Sequence, residues 1–379
     1  MRGLAFCLLA PLFFSCAALK PSADRKPEPL LRRGWSYAEN SSGLFAIDAG
    51  VTPVSYSGPV LAGEKLLFGS DRFGLVAVAK KTGQVLWKKN VAEGVTALPF
   101  VLDGKVIVGS GSGQLAQFSV DGGQEGWAVN LGAPVHGSMA FAFDRLFVAT
   151  ADEAVHGIDP STGKVLWTYR RPSFSGTSIR GGGNPSIVAG KIWLGFSDGS
   201  LVSLDPQTGA LEFERLYRDN LKFMDLDAKV VGWKEGLLVS TYDGKLRHIK
   251  RDGTLLWEFP AGGARAPLVA EGDVIYVPSS DGTVVALAGA TGKEIWRHAL
   301  RRGVPTSLAV VKKEGKTLLL VSGSEERLQV LNATSGKLES ESSFGRGSGS
   351  YAPIAVDAEF GTFYVLSSYS RLYQFHLNL

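Results

Sequence analysis

The chain is 379 residues long, 45% hydrophobic and only 20% charged, with 47 glycines and 17 prolines. That apolar fraction supports a large core and excludes a disordered chain, and glycines that follow no period of three exclude collagen. Its 40 basic and 36 acidic residues leave a net charge of +4 with no basic run, which argues against nucleic acid as a partner.

Residues 1–15 (MRGLAFCLLAPLFFS) place one Arg before an apolar run, Leu4 to Phe14. The run is too short to cross a ~30 Å hydrocarbon layer as a helix, so it reads as a secretory signal peptide. No later stretch approaches 18 apolar residues. Cys7 and Cys16 are the only cysteines, so the chain beyond them holds no disulfide and no thiolate metal site. Phe13-Phe14-Ser15-Cys16 resembles a bacterial lipobox, which implies cleavage before Cys16 and a lipid on it. Ala17 stands where an Asp would retain a lipoprotein at the inner membrane, so the resemblance implies the periplasmic side of the outer membrane. Residues 16–33 are polar, Pro-bearing and aperiodic. They read as a flexible tether that spans at most ~55–60 Å, with one domain over 34–379.

From residue 58 the sequence repeats. A Gly-bearing turn is followed four positions later by a large residue, as in Thr82-Gly83…Trp87, Gly122-Gly123…Trp127, Thr162-Gly163…Trp167 and Thr208-Gly209…Phe213. Asp252-Gly253…Trp257, Thr291-Gly292…Trp296 and Ser335-Gly336…Ser340 continue it, at intervals of 40, 40, 46, 44, 39 and 44. Each unit has two earlier turns, such as Ala189-Gly190 and Asp198-Gly199, around runs rich in Val, Leu, Ile and Phe. Such runs form four-stranded antiparallel meanders. A sheet of this kind cannot bury both faces alone, and repetition every ~40–45 residues is the signature of a β-propeller. Seven units end near residue 343. Ala352–Val356, Thr362–Leu366 and Arg371–His376 supply three further strands, and either Gly34–Glu39 or Leu44–Asp48 supplies the fourth. The expectation is an all-β, eight-bladed propeller closed by its N-terminal strand, with seven blades as the alternative. The recurrent aromatics are expected to cover the junctions between blades.

Asp-Pro-Ser-Thr-Gly-Lys-Val-Leu-Trp (159–167) resembles the repeat named after pyrroloquinoline quinone enzymes. Two branches share it: quinone-dependent dehydrogenases and the non-enzymatic BamB family. The dehydrogenases typically use adjacent cysteines and a calcium site, and neither pattern is present. The five histidines, His136, His156, His248, His298 and His376, lack metal-ligand spacing and read as turn or surface residues. Gly195-Phe196-Ser197-Asp198-Gly199 fits G-x-S-x-G, but it occupies a hairpin position rather than a strand-to-helix elbow, so Ser197 is not a nucleophile. No cofactor and no catalytic residue is expected.

Thr177-Ser178-Ile179-Arg180-Gly181, followed by Gly182-Gly183-Asn184-Pro185, is similar to the BamB family's L-S-L-R-G-x-x-x-P loop, with Thr177 in place of Leu. Asp225-Leu226-Asp227 resembles its Asp-x-Asp. The resemblance implies that Thr177, Ile179, Arg180, Asp225 and Asp227 engage the periplasmic (POTRA) domains of BamA, the barrel-inserting subunit. It implies a scaffold in outer-membrane β-barrel assembly. Unpaired strand edges would also offer unfolded outer-membrane proteins a place for strand addition. A quinone-dependent dehydrogenase and a glycan-binding propeller are the rival readings.

Loop lengths point to the same residues. Sixteen positions separate Trp167 from Gly183 and fourteen separate Phe213 from Asp227, against about eight to ten elsewhere. In a four-stranded meander these crossovers emerge at the same end as the second hairpins, one blade apart. Long loops on a rigid scaffold commonly carry recognition.

Overall fold

The computed structural model describes residues 30–38, 57–70, 74–171, 183–217, 226, 228–241, 243–262, 266–325, 327–345 and 348–378. They fold into eight four-stranded antiparallel sheets. Blade 1 runs from Val60–Ala62 to Val85–Lys89, blade 2 from Phe100–Leu102 to Glu125–Asn130, and blade 3 from Ala140–Ala142 to Val165–Arg170. Blade 4 runs from Ser186–Val188 to Leu211–Leu216, and blade 5 from Val231–Trp233 to Leu255–Phe259. Blade 6 runs from Val269–Glu271 to Lys293–Ala299 and blade 7 from Pro305–Lys313 to Leu338–Ser343. Blade 8 joins Ala355–Asp357, Thr362–Leu366 and Arg371–Leu377 to the N-terminal strand Leu31–Ala38, which lies outermost. The fold is the eight-bladed all-β propeller that the repeat predicts. Among the described residues the one helical turn is the 3₁₀ segment Ala358–Phe360.

Residue character follows position in the blade. Second and third strands face a neighbouring blade on each side and are mostly apolar, as in Leu66, Leu67 and Phe68 or Leu75 to Val78, all wholly buried. Outer strands alternate between half-buried and exposed residues, as in Val165–Arg170, because only one face meets another blade. Hydrophobic clusters accordingly form between blades, one per junction, rather than at one centre.

Where present, the repeated aromatic is the clasp of its junction, and it stands on the glycine of the next blade rather than on its own. Trp35 Nε1 donates to Lys80 O (3.0 Å), Trp87 to Val120 O (3.1 Å) and Trp127 to Pro160 O (2.9 Å). Trp167 donates to Pro206 O (3.1 Å), Trp257 to Gly289 O (2.8 Å) and Trp296 to Ala333 O (3.0 Å). At Gly163, where φ is +74°, an added Cβ would lie 2.4 Å from the Trp127 ring, so only glycine serves both the turn and the stacking. Blade 4 has Phe213 instead, and the guanidinium of Arg215 donates to Gly253 O in place of the missing indole N–H.

The N-terminal strand begins at Leu31, three residues before the expected domain start, for a physical reason. Leu31 is buried in the core between blades 7 and 8. Arg33 donates to Ser343 O and lies 4.9 Å from the centroid of Tyr373, at a junction where blade 7 has Ser340 and no clasp. The strand overlaps Gly34–Glu39 of the two candidate segments; Leu44–Asp48 lies outside the described residues.

Candidate functional site

Cys16 and the five expected partner-binding residues, Thr177, Ile179, Arg180, Asp225 and Asp227, lie outside the described residues. The ground on which the two long crossovers stand is described, and it is a single hairpin, Gly195–Ser200 of blade 4. The crossover from blade 3 to blade 4 leaves at Arg171, whose backbone N–H donates to Glu153 O (3.1 Å). Arg171 Nε donates to Asp198 Oδ2 (2.6 Å) and Nη2 to Glu214 Oε1 (2.7 Å). The same crossover returns at Gly183, whose N–H donates to Gly195 O (2.8 Å). Asn184 Oδ1 then accepts from the Ser138 N–H (2.6 Å), tying the return to blade 3.

The crossover from blade 4 to blade 5 leaves at Tyr217, whose N–H donates to Gly199 O (2.9 Å). It touches down at Leu226, whose N–H donates to Phe196 O (3.1 Å). The Leu226 side chain is wholly buried between blades 4 and 5 with Trp193, Leu201, Val230 and Leu237. Its seat is Gly195, where a Cβ would come within 1.9 Å of Leu226 Cδ2 and 2.1 Å of its carbonyl oxygen. Three of the four feet of the two crossovers therefore rest on these six residues through their backbones and the fourth, Arg171, through its side chain, at the end of the disc that the meander predicts.

The charges at these feet are held in place. Burial works against the Arg171 cation, but hydrogen bonds to Asp198 and Glu214 outweigh it and raise its pKa. Burial likewise pushes Asp198 up, and the hydrogen bonds from Ser200 and Arg171 more than reverse this and hold the carboxylate below its usual range. Around the second foot, burial raises the Tyr217 phenol, while the Arg215 and Arg247 guanidiniums, 5.3 and 5.1 Å from its ring centroid, partly offset the shift. Lys229, just past Leu226, is lowered by burial.

A second sequence signal marks these feet. The residue four places after the outer-strand aromatic is an apolar plug at the short crossovers: Val91, Leu131 and Ala261 are all buried there. At the two long ones it is Arg171 and Tyr217. Charge and hydroxyl in place of a plug single out the two crossovers without reference to their length, and name Arg171 and Tyr217, which loop length does not.

Other candidates resolve structurally. Gly195-Phe196-Ser197-Asp198-Gly199 is this hairpin, and the Ser197 N–H donates to Glu153 Oε2 (3.4 Å), so the motif is a post for loops and not a nucleophile elbow. Two histidines are buried on third strands rather than lying in turns or at the surface. His156, 4% exposed, bonds Thr150 and Thr168, and His248, 6% exposed, sits between Trp233 and Trp257 with ring centroids 5.1 and 5.3 Å away. Their β-strand positions face a neighbouring blade, which the lack of metal spacing could not reveal. Among the described residues no group of three or more His, Cys, Asp or Glu side chains is placed to hold a metal ion.

The sequence pattern of the outer membrane protein assembly factor BamB family matches residues 71–220 and 214–378. The chain is 23% identical over 308 residues to an outer membrane protein assembly factor BamB of Burkholderia pseudomallei, covering 77% of each protein. The crystal structure of BamB from Moraxella catarrhalis superposes with a TM-score of 0.73 at 20% identity, over 91% of this chain and 99% of that one. A quinohaemoprotein alcohol dehydrogenase of Pseudomonas putida also superposes, with a TM-score of 0.68 at 13% identity over 92% of this chain and 76% of that one. At such identities the likeness is one of fold, which both branches of the repeat share.

Proposed function

The chain belongs to the outer membrane protein assembly factor BamB family, and on that premise we propose that it is a non-enzymatic scaffold of the outer-membrane β-barrel assembly machinery. It docks on the periplasmic POTRA domains of BamA through the crossovers that carry Thr177, Ile179 and Arg180 on one side and Asp225 and Asp227 on the other. A lipid on Cys16 holds it to the periplasmic face of the outer membrane, with signal peptide 1–15 removed and the expected tether of 16–33 shortened to end before Leu30, which packs on blade 8.

The observation that carries this reading is the convergence of both crossovers on one hairpin. Two loops whose ends are held at one hairpin, three through the backbone and one through the Arg171 side chain, would present an apolar side chain, a cation and two carboxylates as one composite surface. Backbone anchoring limits the conformational entropy that ordering two loops against a partner would otherwise lose. Charges desolvated at such a contact are worth far more than exposed pairs, ~2–5 kcal/mol on truncation of one partner.

Co-purification tests the proposal. BamA should be recovered with the wild-type chain and lost with an Arg180→Ala, Asp227→Ala double variant. Undiminished recovery with the variant removes the site assignment, and absence of BamA from the wild-type preparation removes the function. A quinone absorbance in the purified protein with alcohol oxidation would instead support the dehydrogenase reading.

A further inference from the structure

We infer that the hairpin Gly195–Ser200 is the positioning element of the docking surface, with Gly195 and Asp198 as its positioning residues. The inference rests on the docking reading given above. It goes further by assigning roles to residues that touch no partner and that carry a motif, G-F-S-D-G, otherwise without a purpose.

The geometry separates the two residues. Gly195 serves both crossovers at once: its carbonyl accepts from the Gly183 N–H, and its missing side chain leaves the space that Leu226 fills. An Ala there would have to displace Leu226, because its Cβ would meet the Cδ2, carbonyl oxygen and Cβ of that residue at 1.9, 2.1 and 2.7 Å. Leu226 is the middle residue of Asp225-Leu226-Asp227, so moving it moves the backbone that carries both carboxylates. Asp198 serves one crossover. It fixes Arg171, which with the backbone bond to Glu153 O sets the departure of the 3-to-4 crossover. In blade 2 the matching hairpin reads Ser110-Gly111-Ser112-Gly113, and in blades 3, 5 and 6 the hairpin carboxylate pairs with an arginine of its own blade (Asp152 with Arg170, Asp243 with Arg247, Asp281 with Arg297), whereas Asp198 holds Arg171, the foot of the crossover that arrives from the blade before.

Blade 2 also provides the control. A Cβ on Gly109 would lie 2.4 Å from Val135 Cγ1, the same kind of seat under a short crossover. Gly109→Ala should therefore disturb packing as Gly195→Ala does, without touching the docking surface.

The test measures binding of a BamA POTRA fragment to the full chain in four forms, with thermal unfolding of each. Gly195→Ala should weaken binding about tenfold or more, Asp198→Asn about threefold to tenfold, and Gly109→Ala less than about twofold at a similar loss of melting temperature. In double-mutant cycles the Asp198→Asn effect should overlap with Arg180→Ala and add to Asp227→Ala. Equal losses for Gly109→Ala and Gly195→Ala at matched stability would overturn the inference, as would additivity of Asp198→Asn with Arg180→Ala. A second readout does not depend on BamA: the distance between spin labels at Thr177→Cys and Asp225→Cys in a Cys7→Ser, Cys16→Ser background. The distribution should be broader or shifted with Gly195→Ala and unchanged with Gly109→Ala. If the wild-type chain fails to bind BamA, the docking reading falls, while the label distances still decide whether the hairpin positions both crossovers.

Discussion

The crossover from blade 2 to blade 3 and the one from blade 4 to blade 5 stand on the same two backbone hydrogen bonds. In the first, Leu131 N–H donates to Gly113 O and Val135 N–H to Ser110 O, four positions apart; in the second, Tyr217 donates to Gly199 O and Leu226 to Phe196 O, nine apart. The connections from blade 1 to 2 and from blade 3 to 4 differ in the same way. Val91 to Ala97 is six positions and Arg171 to Gly183 is twelve, with the returning N–H bonded to a glycine carbonyl in each. Extra residues are thus looped out between unchanged feet. The propeller can carry new surface at this rim without altering its blades, because loop-closure entropy rises by only ~0.6 kcal/mol per doubling of length. What changes at the feet is chemistry: buried apolar plugs at the short crossovers, and a pinned Arg171 and a Tyr217 between two guanidiniums at the long ones.

The residues seated on the hairpin glycines, Leu226 on Gly195 and Val135 on Gly109, break the comparison most sharply. Leu226→Ala empties a wholly buried site and should cost ~2–5 kcal/mol, read as a drop in the urea midpoint. Val135→Ala removes fewer methyl groups and should cost ~1–2 kcal/mol. Only Leu226→Ala should also reduce BamA recovery. Equal binding loss from both would mean that global stability, not the rim, governs docking.

Acid gives a second contrast. Burial between Thr150 and Thr168 holds the His156 imidazole down at about 4, whereas an unfolded chain would titrate near 6.5. Below 6.5 the unfolded state binds more protons, so the His156 contribution is intact above that value and is lost as pH falls from about 6.5 to about 4. The loss is at most ~3 kcal/mol. Blade 2 has Ala116 at the matching register, paired with Ala128 as His156 pairs with Thr168. His156→Gln should flatten the pH dependence of the urea midpoint across that window, and an unaltered slope would assign the acid sensitivity elsewhere.

Loop surgery has the smallest expected effect on stability. Deleting 219–223 restores the blade 2 spacing, and inserting five Gly/Ser residues between Gly132 and Ala133 reproduces the long one. Each should shift stability by no more than ~1 kcal/mol, yet the deletion should abolish BamA recovery and the insertion should leave it intact. A large loss of stability on deletion would show that residues 219–223 pack as part of the blade.

The fold was legible because the glycine-aromatic interval is imposed by packing. Each ring needs a glycine beneath it and a carbonyl to bond, and both leave a mark in the sequence. Less legible was which blade supplies which partner: Trp127 and Gly163 are clasp and seat, although Gly123 lies nearer to Trp127 in the chain. Trp35, with its bond to Lys80 O, marks Leu31–Ala38 as an outer strand and distinguishes it from Leu44–Asp48, which has no tryptophan. The proposed site rests on loop length and short motifs, which say nothing of its footing. Leu226 reads as the spacer of Asp-x-Asp until its burial against Gly195 is seen, and Asp198 reads as an ordinary hairpin residue until Arg171 is found beside it. Contacts between residues distant in sequence leave no local periodicity.

Hydrogen exchange of the full chain with and without the BamA POTRA fragment measures the central idea most directly. Protection should appear in peptides covering 172–185 and 217–229 and in the hairpin 195–200, while 131–139 and the first hairpins on the opposite face exchange as before. Protection centred on the short crossovers or on the opposite face, or none at saturating fragment, would contradict a docking surface built on blade 4.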